Sequence, residues 1–309
     1  MNSAVLRRPD VLGVHSLDHF VLVVPDLAVA KAFYEDFGLV VREESGGLGL
    51  YTDNHSHCWA KVEQGAKKHL SKLCFACFED DYPKFKENLS TLGVAFEEVN
   101  GALEFADPAG MAVSITAGVR PAAEELAPFE AKGGAVGARA ASLRSDGESA
   151  RPNRLSHLAM FTKDIDTVLA FYESALGLRL SDRSLDIVCF MHGVHGSDHH
   201  MLALLNSSGP GLHHASWEVS SINELGIGAT TMAMAGHDYQ WGLGRHVLGS
   251  NYFNYIRDPW GSYIEYSAGM DYVPADVDYP AADYGPEDSF YLWGPDVPEG
   301  FTDNLEQEG

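Results

Sequence analysis

The sequence predicts an α+β protein of two tandem domains, and three observations support it. The segment Asp18–Leu39 (DHFVLVVPDLAVAKAFYEDFGL) recurs at Ser156–Leu178 (SHLAMFTKDIDTVLAFYESALGL), each with a histidine early in a strand, a helix ending in Phe-Tyr-Glu and a Gly-Leu exit. A second match sets Asp107-Pro108-Ala109-Gly110 against Asp258-Pro259-Trp260-Gly261. Within each copy, short β-rich runs alternate with stretches of helical period, in the order strand, helix, several strands, then the same again. The interval between copies far exceeds a solenoid repeat of roughly 20–50 residues, so this is domain duplication rather than an array.

Residues 1–120 form the first domain, with helices expected at Leu27–Phe37 and Tyr82–Leu92. One of its strands carries Cys74-Phe75-Ala76-Cys77; residues three apart on a strand face opposite sides, so this pair does not converge on a metal. With Cys58 and Cys189 the cysteines make no disulfide framework. Residues 121–153, rich in Ala, Gly, Glu, Arg and Ser, read as a linker with at most a short helix. Residues 154–270 repeat the first pattern, with helices near Ile165–Leu176 and Ser221–Ala235 and extra residues in His192–His200 and in a loop at Gly236–Gly249. Residues 271–309 hold too much Tyr, Phe and Trp for a disordered tail, so they are expected to pack on the body, with a cover over the second domain as one use for them.

A chain of 309 residues with 45% hydrophobic content can build two medium cores. Its net charge of −23 argues against nucleic acid, which is bound by clustered Lys and Arg, and against anionic membranes. No charged segment leads into an apolar core at the N-terminus, and no apolar run approaches the ~18 residues of a membrane span. The expectation is a soluble, cytoplasmic protein.

The copies differ at one chemically telling place. Seven residues after the repeated Asp, the first has Ser114 and the second Glu265. Strand alternation puts His157 with Leu155 and Ala159 on one face, His214 with Ser216, and Glu265 with Tyr263 and Ser267. If these faces line one concave sheet, His157, His214 and Glu265 form two imidazoles and one carboxylate on one side of a metal. That set leaves positions open for substrate and dioxygen on a non-haem Fe(II). Spacing alone leaves the bland alternative open, because 14 histidines form chance triples and a strand histidine is more often structural.

The run Leu243-Gly244-Arg245-His246, then Ser250-Asn251-Tyr252-Phe253-Asn254-Tyr255, Asp258-Pro259-Trp260-Gly261 and Ile264-Glu265-Tyr266 resembles type I extradiol ring-cleavage dioxygenases of the vicinal oxygen chelate superfamily. The resemblance extends to the His157 strand, His200-Met201-Leu202-Ala203-Leu204 and Leu212-His213-His214. It implies two tandem vicinal-oxygen-chelate domains, each of two βαβββ modules forming an open barrel around a cavity. It further implies His157, His214 and Glu265 as iron ligands, His200 as acid/base, and His246 and Tyr255 facing the substrate oxygens. The implied cofactor is Fe(II), with Mn(II) able to take the same ligands. The implied partners are a catechol and O2, cleavage falls beside the diol to give a hydroxymuconic-semialdehyde-type product in aromatic catabolism, and the protein is expected to be a homo-oligomer.

Two histidine doublets need a choice of register, since neighbouring strand residues face opposite ways; the family register selects His214 over His213 and His200 over His199. Gly249 stands where some bicyclic-substrate members have Asp, and Ser250-Asn251 is similar to homoprotocatechuate-type members. Arg245 is expected to pair with either an acidic residue or substrate. His192 and His195 are expected to be exposed or at the pocket mouth, Trp217 to lie in the core, and His19 to be structural. Gly242-Leu243-Gly244 lacks the strand–turn–helix setting of a dinucleotide fingerprint. Two other readings remain: a 4-hydroxyphenylpyruvate-type dioxygenase, against which His200, His246 and Tyr255 argue, and a bleomycin-resistance-type binding protein, against which the retained ligand set argues.

Overall fold

A computed structural model describes residues 7–53, 55–121, 136–137, 143 and 149–307, so the expected linker lies mostly outside the described residues. In the first copy, β1 (Ser16–Val24), α1 (Leu27–Asp36), β2 (Val40–Glu44), β3 (Gly47–Tyr51) and β4 (Ala60–Gln64) make one βαβββ module. The next module is β5 (His69–Cys77), α2 (Tyr82–Thr91), β6 (Phe96–Val99), β7 (Ala102–Ala106) and β8 (Ala112–Ala117). The second copy opens with β9 (Arg154–Thr162), α3 (Ile165–Leu176), β10 (Leu178–Ser184), β11 (Val188–Gly193), the short β12 (Ser197–Asp198) and β13 (Leu202–Asn206). It continues with β14 (Gly211–Glu218), α4 (Ile222–Met234), β15 (Gln240–His246), β16 (Tyr252–Arg257) and β17 (Tyr263–Ala268). The tail adds β18 (Tyr272–Val273), β19 (Ala282–Asp283) and β20 (Tyr291–Trp293).

The helices start where the sequence places acceptors. Asp26 Oδ1 takes the backbone N–H groups of Ala28 and Val29 at 2.9 and 3.1 Å, and Asp164 Oδ1 takes that of Thr167 at 3.0 Å. Ser221 caps Glu224 while the Glu224 carboxylate accepts from the Ser220 N–H at 2.9 Å, so orphan donors are satisfied from both sides. The stretch Gly236–Gly249, expected as a loop, contains β15. Its Trp241 is fully buried against Phe253, and that burial makes a strand of it.

The repeated Asp-Pro-x-Gly is a turn device. Asp107 Oδ1 accepts from Ala109 and Met111 N–H at 2.8 and 2.9 Å, and Asp258 Oδ1 from Trp260 and Ser262 N–H at 2.8 and 3.0 Å. Gly110 and Gly261 sit at φ +88° and +100°, which only glycine adopts freely. Each turn feeds the strand that carries Ser114 or Glu265 and so fixes its register.

In the second copy the sheet order is β19-β10-β11-β13-β9-β14-β17-β16-β15-β20. The central pair β9/β14 is antiparallel, and each member has a parallel partner outside it, β13 and β17. The first copy has the same centre, β1/β5 flanked by β4 and β8. Tail strands β19 and β20 pair with the two outer strands of the second sheet, covering edges that would otherwise offer unpaired backbone. The copies are joined by buried contacts: Tyr172 donates to Asp107 Oδ2 at 3.0 Å, and Tyr266 donates to the Phe37 carbonyl while its ring stacks on Phe37. Trp217 is in the core, as expected. Among the described residues, no helix is long and apolar enough to cross a membrane.

Candidate metal centre

Sheet register brings three distant residues to one point. Ser216 on β14 lies opposite His157 on one side and Glu265 on the other, with His214 two residues before it on the same face. His157 Nε2 is 3.1 Å from His214 Nε2 and 3.3 Å from Glu265 Oε2; His214 Nε2 is 3.5 Å from the same oxygen. All three residues are buried, and Glu265 Oε2 has no hydrogen-bond partner among the described residues. An ion with bonds of ~2.1 Å spaces adjacent ligands at ~3.0 Å, so the triangle matches one face of a coordination sphere.

The protonation pattern around the triangle points the same way. A backbone carbonyl and a carboxylate only accept, so each fixes a tautomer. His213 Nε2 donates to the Phe301 carbonyl at 2.9 Å, which leaves its Nδ1 to accept from His214 Nδ1–H at 2.6 Å and strips His214 Nε2 of its proton. Ser156 gives its hydroxyl proton to Asp198 at 3.2 Å, so it accepts from His157 Nδ1–H at 3.3 Å and His157 Nε2 is bare as well. His246 donates from Nδ1 to the Phe290 carbonyl at 2.7 Å and accepts the Tyr255 hydroxyl on Nε2 at 2.9 Å. Two unprotonated nitrogens and an unpartnered carboxylate oxygen in van der Waals range repel one another unless a cation sits between them. The residues therefore fit a divalent ion. Burial, reinforced by neighbouring imidazoles, holds His214 and His200 well below the usual histidine range, which favours the neutral, ligating form.

The other expected residues converge on the same cavity, of about 180 Å³, lined by His157, His200, His214, His246, Asn251 and Tyr255 together with a ring of apolar side chains. His246 stacks on Phe253 and Tyr255 on Trp241, so both polar tips are held by rigid aromatic packing. Asn251 donates to Glu265 Oε1 at 3.3 Å. The tail contributes Phe290 and Phe301, so it forms part of the cavity wall. These carbonyl and carboxylate partners were not readable as such; the doublets His199-His200 and His213-His214 were the only local signal of a second layer.

Two expectations are corrected. His192 and His195 are neither exposed nor at the cavity mouth: both are buried, His192 against Ser181 at 2.7 Å and the tail's Tyr279, and His195 packed on Phe78 of the first copy. Among the described residues Arg245 pairs with no acid, and it does not line the cavity; it donates to the Ser250 carbonyl and lies over the Tyr252 ring. Gly249 has φ +86°, and a Cβ there would stand 3.3 Å from His200 and 3.4 Å from His199. Gly249→Ala is accordingly expected to cost ~1–3 kcal/mol and to disturb His200, measured as a lowered Tm together with a lowered kcat.

Among the described residues, the first copy has no matching group of convergent metal donors. Its His19 lies at the register of His157, Lys72 at that of His214, Glu104 at that of Tyr255 and Ser114 at that of Glu265. Lys72 and Glu104 pair at 2.7 Å, filling the corresponding space with an internal ion pair.

Burial also sets a stability profile. His192, His195 and His213 are each pushed down to about 4 from an ordinary 6.5. They are neutral in the fold and take up protons on unfolding, so their contribution is present above pH 6.5 and lost as pH falls toward 4. At ~1.4 kcal/mol per pH unit each, the three together steepen the loss to at most ~4 kcal/mol per unit. Thermal scans of the metal-free chain should show Tm dropping between pH 6.5 and 4; a flat Tm across that range contradicts it.

The sequence matches the Glyoxalase/Bleomycin resistance protein/Dioxygenase superfamily over residues 16–119 and 154–266, and the chain belongs to that superfamily. It is 47% identical to metapyrocatechase 2 of Cupriavidus necator, over 95% of this chain and 93% of that protein. It is 27% identical to biphenyl-2,3-diol 1,2-dioxygenase of Metapseudomonas furukawaii, over 82% and 86%. Among solved structures, a variant of homoprotocatechuate 2,3-dioxygenase from Brevibacterium fuscum superposes with a TM-score of 0.76 at 21% identity, covering 96% of this chain and 84% of that one, which bears on the fold.

Proposed function

We propose that the chain is an extradiol catechol dioxygenase that holds Fe(II) on His157, His214 and Glu265, with Mn(II) as the alternative ion, and that it works in the cytoplasm. The observation that carries this is the triangle of unprotonated donors at 3.1–3.5 Å in a cavity that also holds His200, His246 and Tyr255. The ion, when bound, supplies Lewis acidity toward both catechol oxygens and a place for O2 beside the ring. His200 takes a hydroxyl proton from the substrate and later returns it. His246 and Tyr255, already hydrogen-bonded to each other, orient the second oxygen and stabilise charge on it. The Phe290 and Phe301 wall excludes water.

The wall also sets the substrate class. Ile187, Val188, Phe190, Leu205, Leu248, Phe290 and Phe301 line the cavity, and among the described residues no lysine or arginine does. A carboxylate on the ring would be buried without a lysine or arginine partner, at a cost of several kcal/mol. The substrate is therefore a catechol, unsubstituted or with a small apolar group, in contrast to the homoprotocatechuate likeness of Ser250-Asn251. The test is a panel of catechol, 3-methylcatechol, 2,3-dihydroxybiphenyl and 3,4-dihydroxyphenylacetate, offered under air after anaerobic Fe(II) loading. Yellow ring-cleavage product is expected from the first two, with kcat/KM for the carboxylated catechol at least ~10²-fold lower. No product from any of them contradicts the assignment.

A further inference from the structure

We propose that Asp182 and His199 are positioning residues that hold His200 with its proton on Nδ1, so that an unprotonated Nε2 is the nitrogen left to meet the substrate. This rests on the acid/base reading of His200. The three residues form a buried line running outward from the cavity. His200 Nδ1 is 3.0 Å from His199 Nδ1, and His199 Nε2 is 2.9 Å from Asp182 Oδ2. None of the three is more than 4% exposed.

The logic is that of a single proton between facing nitrogens. Asp182 can only accept, so His199 carries its proton on Nε2 and, as a neutral ring, has a lone pair on Nδ1. His200 must then donate from Nδ1. A general base needs its lone pair toward the proton it removes; the other tautomer would turn an N–H toward a catechol hydroxyl and prevent the transfer. Asp182 is itself held by the tail: the Ala282 N–H donates to Oδ1 at 2.9 Å and the Tyr279 hydroxyl to Oδ2 at 3.2 Å. The C-terminal segment thereby sets the proton pattern of the acid/base histidine through two intermediates, besides walling the cavity.

Asp182→Asn tests this with almost no change of shape. The Ala282 N–H keeps the amide oxygen at the Oδ1 place, so the amide NH2 faces His199 Nε2. Two donors cannot face each other. His199 moves its proton to Nδ1, and His200 is forced to carry its own on Nε2. On the full chain with isotope-labelled histidine, metal-free and Zn(II)-loaded, nitrogen NMR should find His200 protonated on Nδ1 in the unaltered protein and on Nε2 in Asp182→Asn. With Fe(II), Asp182→Asn should lower kcat for catechol by roughly 10²–10⁴ with KM and metal content within about twofold. His199→Asn, whose amide oxygen can accept from His200 without Asp182, should keep the Nδ1 proton and lose less than about tenfold in kcat. An Nε2 proton on His200 in the unaltered chain overturns the proposal. So does a loss of kcat in Asp182→Asn without the tautomer change, a result that leaves the acid/base role of His200 standing.

Discussion

Glu265→Ser, which writes the first copy's residue into the second, is expected to abolish metal binding at the His157–His214 pair and ring cleavage with it. Glu265 is the one anion in the triangle, fully buried, with an oxygen that meets no hydrogen-bond donor among the described residues. Removing one partner of a buried charge pair costs ~3–5 kcal/mol, or about 10²–10⁴ in affinity at 1.4 kcal/mol per decade. The sign of the stability effect should be opposite in the metal-free protein. A buried carboxylate beside two bare nitrogens is unfavourable without a cation, so the isosteric Glu265→Gln is expected to melt no lower than the unaltered metal-free chain. The gain from metal, ~2.7 kcal/mol at a hundredfold excess over Kd, should vanish. Calorimetric titration with Mn(II) and thermal scans measure both; Glu265→Ser binding the ion within threefold of the unaltered Kd would place the metal elsewhere.

His200→Asn should divide the site differently. His200 lines the cavity but is not among the three convergent donors, so one metal ion per chain should remain. Loss of a general acid/base lowers turnover by ~10²–10⁴, and KM for catechol should move little because chelation by the ion carries most of the binding. Metal analysis beside steady-state kinetics separates the two effects. Loss of metal from His200→Asn would mean that the doublet has been read in the wrong register.

Much of this was visible in the chain because duplication supplies an internal comparison. The match of Asp18–Leu39 with Ser156–Leu178 fixes α1 and α3, and the expected helices agree with those observed to within a residue or two at each end. The pair Ser114 and Glu265 marks which copy keeps a carboxylate in the sheet. Strand parity then separates His213 from His214, whereas His199 and His200, expected on a strand, lie between β12 and β13, where parity does not apply and the family resemblance alone selects His200. What parity could not show is what the outward member does. His199 lies outside the cavity lining and His213 borders the cavity, and each hydrogen-bonds its neighbour's Nδ1. Their own partners, the Phe301 carbonyl and Asp182, come from the tail and from β10, positions without periodicity or motif relative to the doublets. Gly236–Gly249 read as a loop because it holds four glycines, two of them flanking Leu243, and only the packing of Trp241 on β16 makes part of it a strand. His192 and His195 looked exposed among glycines because nothing local reveals that Tyr279 of the tail packs on the one and Phe78 of the first copy on the other.

The most direct measurement is the product formed from catechol and isotopically labelled O2 by the chain after anaerobic loading with Fe(II). The expected product is the yellow hydroxymuconic semialdehyde carrying both labelled oxygens, formed by the unaltered chain and not by Glu265→Ser. Cleavage between the two hydroxyls, or the same product at an undiminished rate from Glu265→Ser, would contradict a metal centre built on His157, His214 and Glu265.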